Sequence, residues 1–105
     1  MSLEAKTIYQ QLGGRHFAIV TGSKNFVAGK NSLTMQLAHN QSNANRLKIT
    51  LNEGSDLYTM EFYQQVQDRK TSEIKTIEIK KFEDVFSGMM AEIFKDTTGL
   101  YTFIF

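Results

Sequence analysis

Residues 46–62 read RLKITLNEGSDLYTMEF. Leu47, Ile49 and Leu51 alternate with Arg46, Lys48 and Thr50; Tyr58, Met60 and Phe62 alternate with Thr59 and Glu61. A period of two belongs to a strand with one buried and one solvated face. Between the two runs stand Asn52, Glu53, Gly54 and Ser55, residues suited to a turn. This stretch predicts two neighbouring strands, the second running on towards Val66.

The pattern continues outward on both sides. Upstream, Leu33, Met35 and Leu37 alternate with Thr34 and Gln36, predicting another half-buried strand. The polar residues 39–45 between it and Arg46 predict a loop. Downstream, residues 68–72 are polar and charged and predict a turn. Ile77 and Ile79 then alternate with Thr76, Glu78 and Lys80, a candidate fifth strand over 74–80. Residues 15–21, RHFAIVT, form an apolar run bounded by glycines and read as a strand. Residues 22–31 read as the loop that follows.

The two ends carry helical spacing. Ala5, Ile8, Tyr9 and Leu12 form one stripe, stopped by Gly13 and Gly14. Phe82, Val85, Phe86, Met89, Met90, Ile93 and Phe94 follow an i, i+3, i+4 pattern, which predicts one amphipathic helix of more than three turns. Glu83 and Asp84 would sit in its first turn, where negative charge suits the helix dipole. Gly99 would end it. Gly88 inside it costs up to ~1 kcal/mol against alanine, which predicts a close neighbour there. The methionine and phenylalanine side chains of this stripe read as core rather than as an exposed groove.

Helix, consecutive strands, helix: this order predicts an α+β fold. The expectation is a two-layer sandwich, an antiparallel four- or five-stranded meander with an N-terminal and a C-terminal helix on one face. At 105 residues, 41% hydrophobic and 22% charged, the chain is one domain over 1–105. No apolar run approaches a membrane span. Cysteine is absent, so there is no disulfide or thiolate site, and the expected compartment is the cytoplasm. Residues 100–105, LYTFIF, are apolar and aromatic. They would either pair at a sheet edge or pack against another subunit or protein.

One stretch imitates a phosphate-binding loop. Residues 20–32, VTGSKNFVAGKNS, contain Gly22 and a later Gly29-Lys30. The nucleotide-binding pattern needs four residues between its glycines and Ser or Thr after the lysine. Here there are six, and Asn31 follows. The next segment alternates like a strand, so no helix N-terminus completes an anion site. The stretch reads as a turn connection.

Catalytic chemistry finds no pattern either. His16 and His39 are the only imidazoles and lie in no metal or triad spacing. No catalytic residue, metal site, cofactor or small-molecule site is nominated. Charge is uneven: residues 1–52 hold six basic residues against one acid, and residues 53–105 hold six against ten. Lys24, Lys30, Arg46 and Lys48 are therefore the candidates for a nucleic-acid surface. On the predicted open sheet face, Arg46, Lys48 and Thr50 would join Thr34, Gln36, Glu61 and Tyr63. Such a face can hold single strands by stacking and phosphate contact, though Glu61 interrupts its positive field.

Four stretches are familiar together: residues 9–14 (YQQLGG), 21–26 (TGSKNF), 56–62 (DLYTMEF) and 98–102 (TGLYT). Together they resemble a group of small uncharacterised proteins encoded in bacteriophages and integrated elements of bacteria. The resemblance implies a bacterial cytoplasmic or phage context and transfers no catalytic or binding residue. The expectation is a non-enzymatic binding domain that takes a protein partner or a second copy of itself. The alternative is a weak nucleic-acid-binding module.

Overall fold

The computed structural model describes residues 3–100. Five strands form one sheet in the order β1-β2-β3-β4-β5: β1 Lys24–Gly29, β2 Ser32–Gln36, β3 Arg46–Asn52, β4 Leu57–Gln67 and β5 Ile74–Val85. Every neighbouring pair is antiparallel. The predicted α+β meander is thus present, and the candidate fifth strand forms. It is longer than its alternation indicated.

Three α-helices lie on one face: α1 Leu3–Leu12, α2 Gly14–Thr21 and α3 Met90–Thr98. The core is the seam between the layers. Leu33, Met35, Leu47, Ile49, Met60 and Phe62 point inward from the sheet and are fully buried. Ala5, Ile8, Phe17, Met90 and Phe94 meet them from the helices. Phe94 is the joint: its ring stands edge-on to Phe17 at 4.9 Å and lies 6.3 Å from Phe62. Full burial of each such side chain stabilises by about 1.5–3 kcal/mol. Tyr58 ties the layers from the sheet side, donating its hydroxyl to Gln11 Oε1 of α1 at 2.6 Å.

Residues 15–21 are helical, not a strand. In a strand Phe17, Ile19 and Thr21 would share the buried face. Here Phe17 and Thr21, four apart, are buried, and Ile19 is 67% exposed. A short apolar run does not by itself distinguish strand from helix. Gly13, at φ 125°, turns the chain sharply between α1 and α2, and a Cβ there would stand 3.1 Å from Phe17 Cβ. Gly22, at φ 72°, caps α2. The loop expected over 22–31 contains β1, which pairs with β2 through the two-residue turn Lys30-Asn31. Only Phe26 of β1 is even half-buried, so its sequence carries no alternation to read.

The predicted helix from Phe82 to Phe94 is two elements. β5 continues to Val85; a single 3-10 turn, Ser87–Met89, then leads into α3. The cause is a bulge. Phe82 pairs with Met60 and Val85 with Tyr58, so three steps of β5 oppose two of β4, with Asp84 at φ 55°. A bulge changes the inward spacing locally from two to three, and three is also the helical spacing. Phe86 and Met89, which a continuous helix would bury, are 61% and 45% exposed. Glu83 and Asp84 therefore lie in a strand and start no helix. Gly88 faces open space, with no close neighbour. Gly99 ends α3 as expected.

The loop over 37–45 is organised by two asparagines. Asn40, 7% exposed, donates to the carbonyls of Ala38 and Ala44 and accepts from Ser42 N–H and Oγ. Asn45 accepts from Gln65 N–H at 2.8 Å and donates to Gln65 O at 2.9 Å. The loop is thereby held against β4. No helix among the described residues is long and apolar enough to cross a membrane.

Candidate binding face of the sheet

With helices on one face, the other is open. Register arranges its side chains in rows, because directly opposed residues of an antiparallel pair point the same way. One row runs Lys24, Gln36, Arg46, Tyr63, Glu78. The next runs Val27, Thr34, Lys48, Glu61, Lys81. Three of the four basic residues singled out in the sequence, Lys24, Arg46 and Lys48, are thus brought onto one side of three adjacent strands. Lys30 stands apart at the β1–β2 turn. Its neighbour Asn31 donates to Glu53 Oε1 at 2.6 Å, which sets a carboxylate close to that turn.

The face is hollowed on both sides of Tyr63 and Gln65. An open depression of about 370 Å³ is lined by Asn25, Val27, Thr34, Gln36, Arg46, Tyr63 and Gln65. A second, of about 300 Å³, is lined by Lys48, Glu61, Tyr63, Gln65, Thr76 and Glu78. Several lining groups are oriented. Asn25 Nδ2 donates to Gln36 Oε1 at 2.8 Å, and Arg46 Nη1 donates to Asn45 O at 2.9 Å. One of the five guanidinium N–H groups so held keeps the planar fork in place for a ligand.

Electrostatically the face is mixed. Burial pushes the Tyr63 hydroxyl above its ordinary pKa; Arg46 opposes that rise and Glu61 adds to it. Tyr63 therefore stays a neutral hydrogen-bond donor and acceptor at physiological pH. Glu61 lies between Lys48 and Lys81 in its row, and Glu78 lies beside Tyr63. Lys81 also reaches Glu83 at 3.6 Å. Glu61 is thus set among cations, and Glu78 ends the other row on the edge strand.

Asn25 and Val27 were missed because β1 carries no readable period. Gln65 was readable, as the next outward position after Tyr63. The histidines do not join this face: His16 lies on α2 and His39 in the loop after β2, both exposed. Among the described residues, no group of three His, Cys, Asp or Glu side chains is placed to hold a metal ion. No family model, no curated protein and no solved structure matches the chain, so its fold and site are read from its own geometry.

Proposed function

We propose that this chain is a non-enzymatic binding domain of the bacterial or phage cytoplasm whose open sheet face takes a protein partner. One observation carries the reading: Glu61 sits inside a basic row directly beside Lys48, and Glu78 closes the other row beside Tyr63. A polyphosphate ligand would meet those carboxylates as repulsion. A protein surface, with charges of both signs and backbone donors and acceptors, can match them. The neutral amides of Asn25, Gln36 and Gln65 and the hydroxyl of Tyr63 add the mixed hydrogen bonding found at protein interfaces. Tyr63 and Arg46 are the anchors, since tyrosine and arginine dominate interface energetics.

The test is quantitative co-purification from a bacterial host with the wild-type chain and a Tyr63→Ala/Arg46→Ala variant. Truncating such anchors costs about 2 kcal/mol or more, roughly thirtyfold in affinity. A partner recovered in fixed stoichiometry should be lost from the variant while circular dichroism stays native. An identical partner profile from both chains would remove the proposal.

The placement of Lys24, Arg46 and Lys48 on one side of the sheet favours a second reading, single-stranded nucleic acid. With three phosphate contacts, binding would fall with salt at a log–log slope of about −2. Fluorescence anisotropy with labelled DNA and RNA measures this. Binding left unchanged by Arg46→Glu with Lys48→Glu would refute that surface.

A further inference from the structure

The open face does not mix its charges evenly. In the depression that spans β1 to β4, the one charged lining group is the Arg46 guanidinium; the other polar walls are neutral amides and hydroxyls. In the depression that spans β3 to β5, Glu61 and Glu78 stand against the single ammonium of Lys48. The first lining is net positive and the second net negative. Tyr63 and Gln65 line both and form the divide between them.

These charges are unmatched within the chain. Among the described residues Lys81 and Glu83 form an ion pair, and Arg46, Lys48, Glu61 and Glu78 form none. Arg46 donates to Asn45 O, which steadies the guanidinium and leaves the rest of its donor fork open. Such a fork meets a carboxylate in two parallel hydrogen bonds. On the divide, Asn45 holds the Gln65 backbone, while the Gln65 side-chain amide has no partner among the described residues. An amide there offers a donor and an acceptor to a crossing peptide bond. Arg46 and Glu78 flank Tyr63 in one row, on β3 and β5. Two strand spacings separate them, about 10 Å, the length of roughly three extended residues.

We infer that the partner is a peptide segment with an acidic and a basic side chain about two to four residues apart. The acidic group meets Arg46, the basic group meets Glu61 and Glu78, and the backbone between them crosses Tyr63 and Gln65. The inference rests on the reading of this face as a protein-binding surface and adds to it an order of charges. A phosphate backbone has no cation to give the second depression. A second copy docked face to face brings Arg46 over Glu78 when the two-fold axis runs along β4. The same axis sets Glu61 on Glu61 and Lys48 on Lys81, and like charges so opposed are unfavourable. The occupant that fits is a segment of another protein.

The test is selection of peptides from a random display library on the full-length wild-type protein, on Tyr63→Ala, and on Arg46→Glu with Glu78→Lys. Far-ultraviolet circular dichroism checks that all three chains are folded. The wild type should enrich peptides that pair Asp or Glu with Lys or Arg at this spacing, and Tyr63→Ala should not. A synthetic peptide of the enriched sequence should lose about tenfold or more in affinity for the wild type when its two charges are exchanged. The exchanged peptide should recover its binding on the charge-exchanged protein. Tyr63-dependent peptides without the charge pair, or an exchanged peptide that binds the wild type equally well, overturn the inference and leave the protein-binding face standing. No enrichment, together with a dimer that Arg46→Glu dissociates in sedimentation, gives the face to a second copy and overturns it too. Peptides indifferent to Tyr63→Ala, or no enrichment by a monomer, remove the face itself and the inference with it.

Discussion

Two phenylalanines eight residues apart test how β5 hands over to α3. In a continuous helix from Phe82 to Phe94, Phe86 and Phe94 lie on one buried stripe and truncation costs about the same at each. In the structure Phe94 is fully buried between α2 and the sheet, and Phe86 is 61% exposed in the connection. Phe94→Ala should cost about 3–5 kcal/mol for the lost burial and the cavity. The edge-on contact with Phe17, worth about 0.5–1.5 kcal/mol, puts it in the upper half of that range. That is a large part of the 5–15 kcal/mol by which domains are typically stable, roughly speaking. Phe86→Ala should stay within about 0.5–1 kcal/mol. Urea unfolding followed by circular dichroism reads the difference. With a slope of about 2 kcal/mol per molar, the Phe94 variant loses about 2 M in midpoint and the Phe86 variant less than about 0.5 M. Equal losses at the two positions would refute the bulge and restore the continuous helix.

Two other outcomes follow from single contacts. Asn45→Ala removes both hydrogen bonds to the Gln65 backbone, which should cost about 1–3 kcal/mol and speed hydrogen exchange at the Gln65 amide; unchanged exchange would mean that Asn45 does not hold the loop against β4. Burial raises the Tyr58 pKa, opposed by its hydrogen bond to Gln11 and reinforced by Asp56. The folded protein then binds the phenolic proton more tightly than the unfolded chain. Stability from this group is complete below the unfolded tyrosine pKa of about 10 and falls as pH rises through the higher folded value. Tyr58→Phe should flatten the alkaline loss of stability, measured as melting temperature against pH; an identical alkaline slope would contradict the assignment.

How much of this molecule was legible from its residues depends on whether each element has an inside and an outside of its own. β2, β3 and β4 cross the middle of the sheet with one face against helices and one open. Leu33-Met35, Leu47-Ile49 and Met60-Phe62 therefore alternate with polar partners, and fold class, strand direction and the open face with Arg46, Lys48 and Tyr63 all follow from local pattern. The turns at 52–55 and 68–72 and the stop of α1 at Gly13 are local as well. At the margins the code fails for identifiable reasons. β1 is an edge strand with only Phe26 packed, so it reads as a loop. α2 buries Phe17 and Thr21 but exposes Ile19, a choice set by α1 and α3 rather than by its own sequence. The bulge at Asp84 gives Phe82 and Val85 a spacing of three that a strand and a helix share. Only pairing with Tyr58 and Met60 across the sheet decides between them. The candidate site divides the same way. Sequence supplied the cations, because charge is a property of each residue alone. The tertiary structure supplied their neighbours, Glu61 and Glu78 beside Lys48 and Tyr63, because register is a property of two strands together; it is register that favours a protein partner over a phosphate backbone.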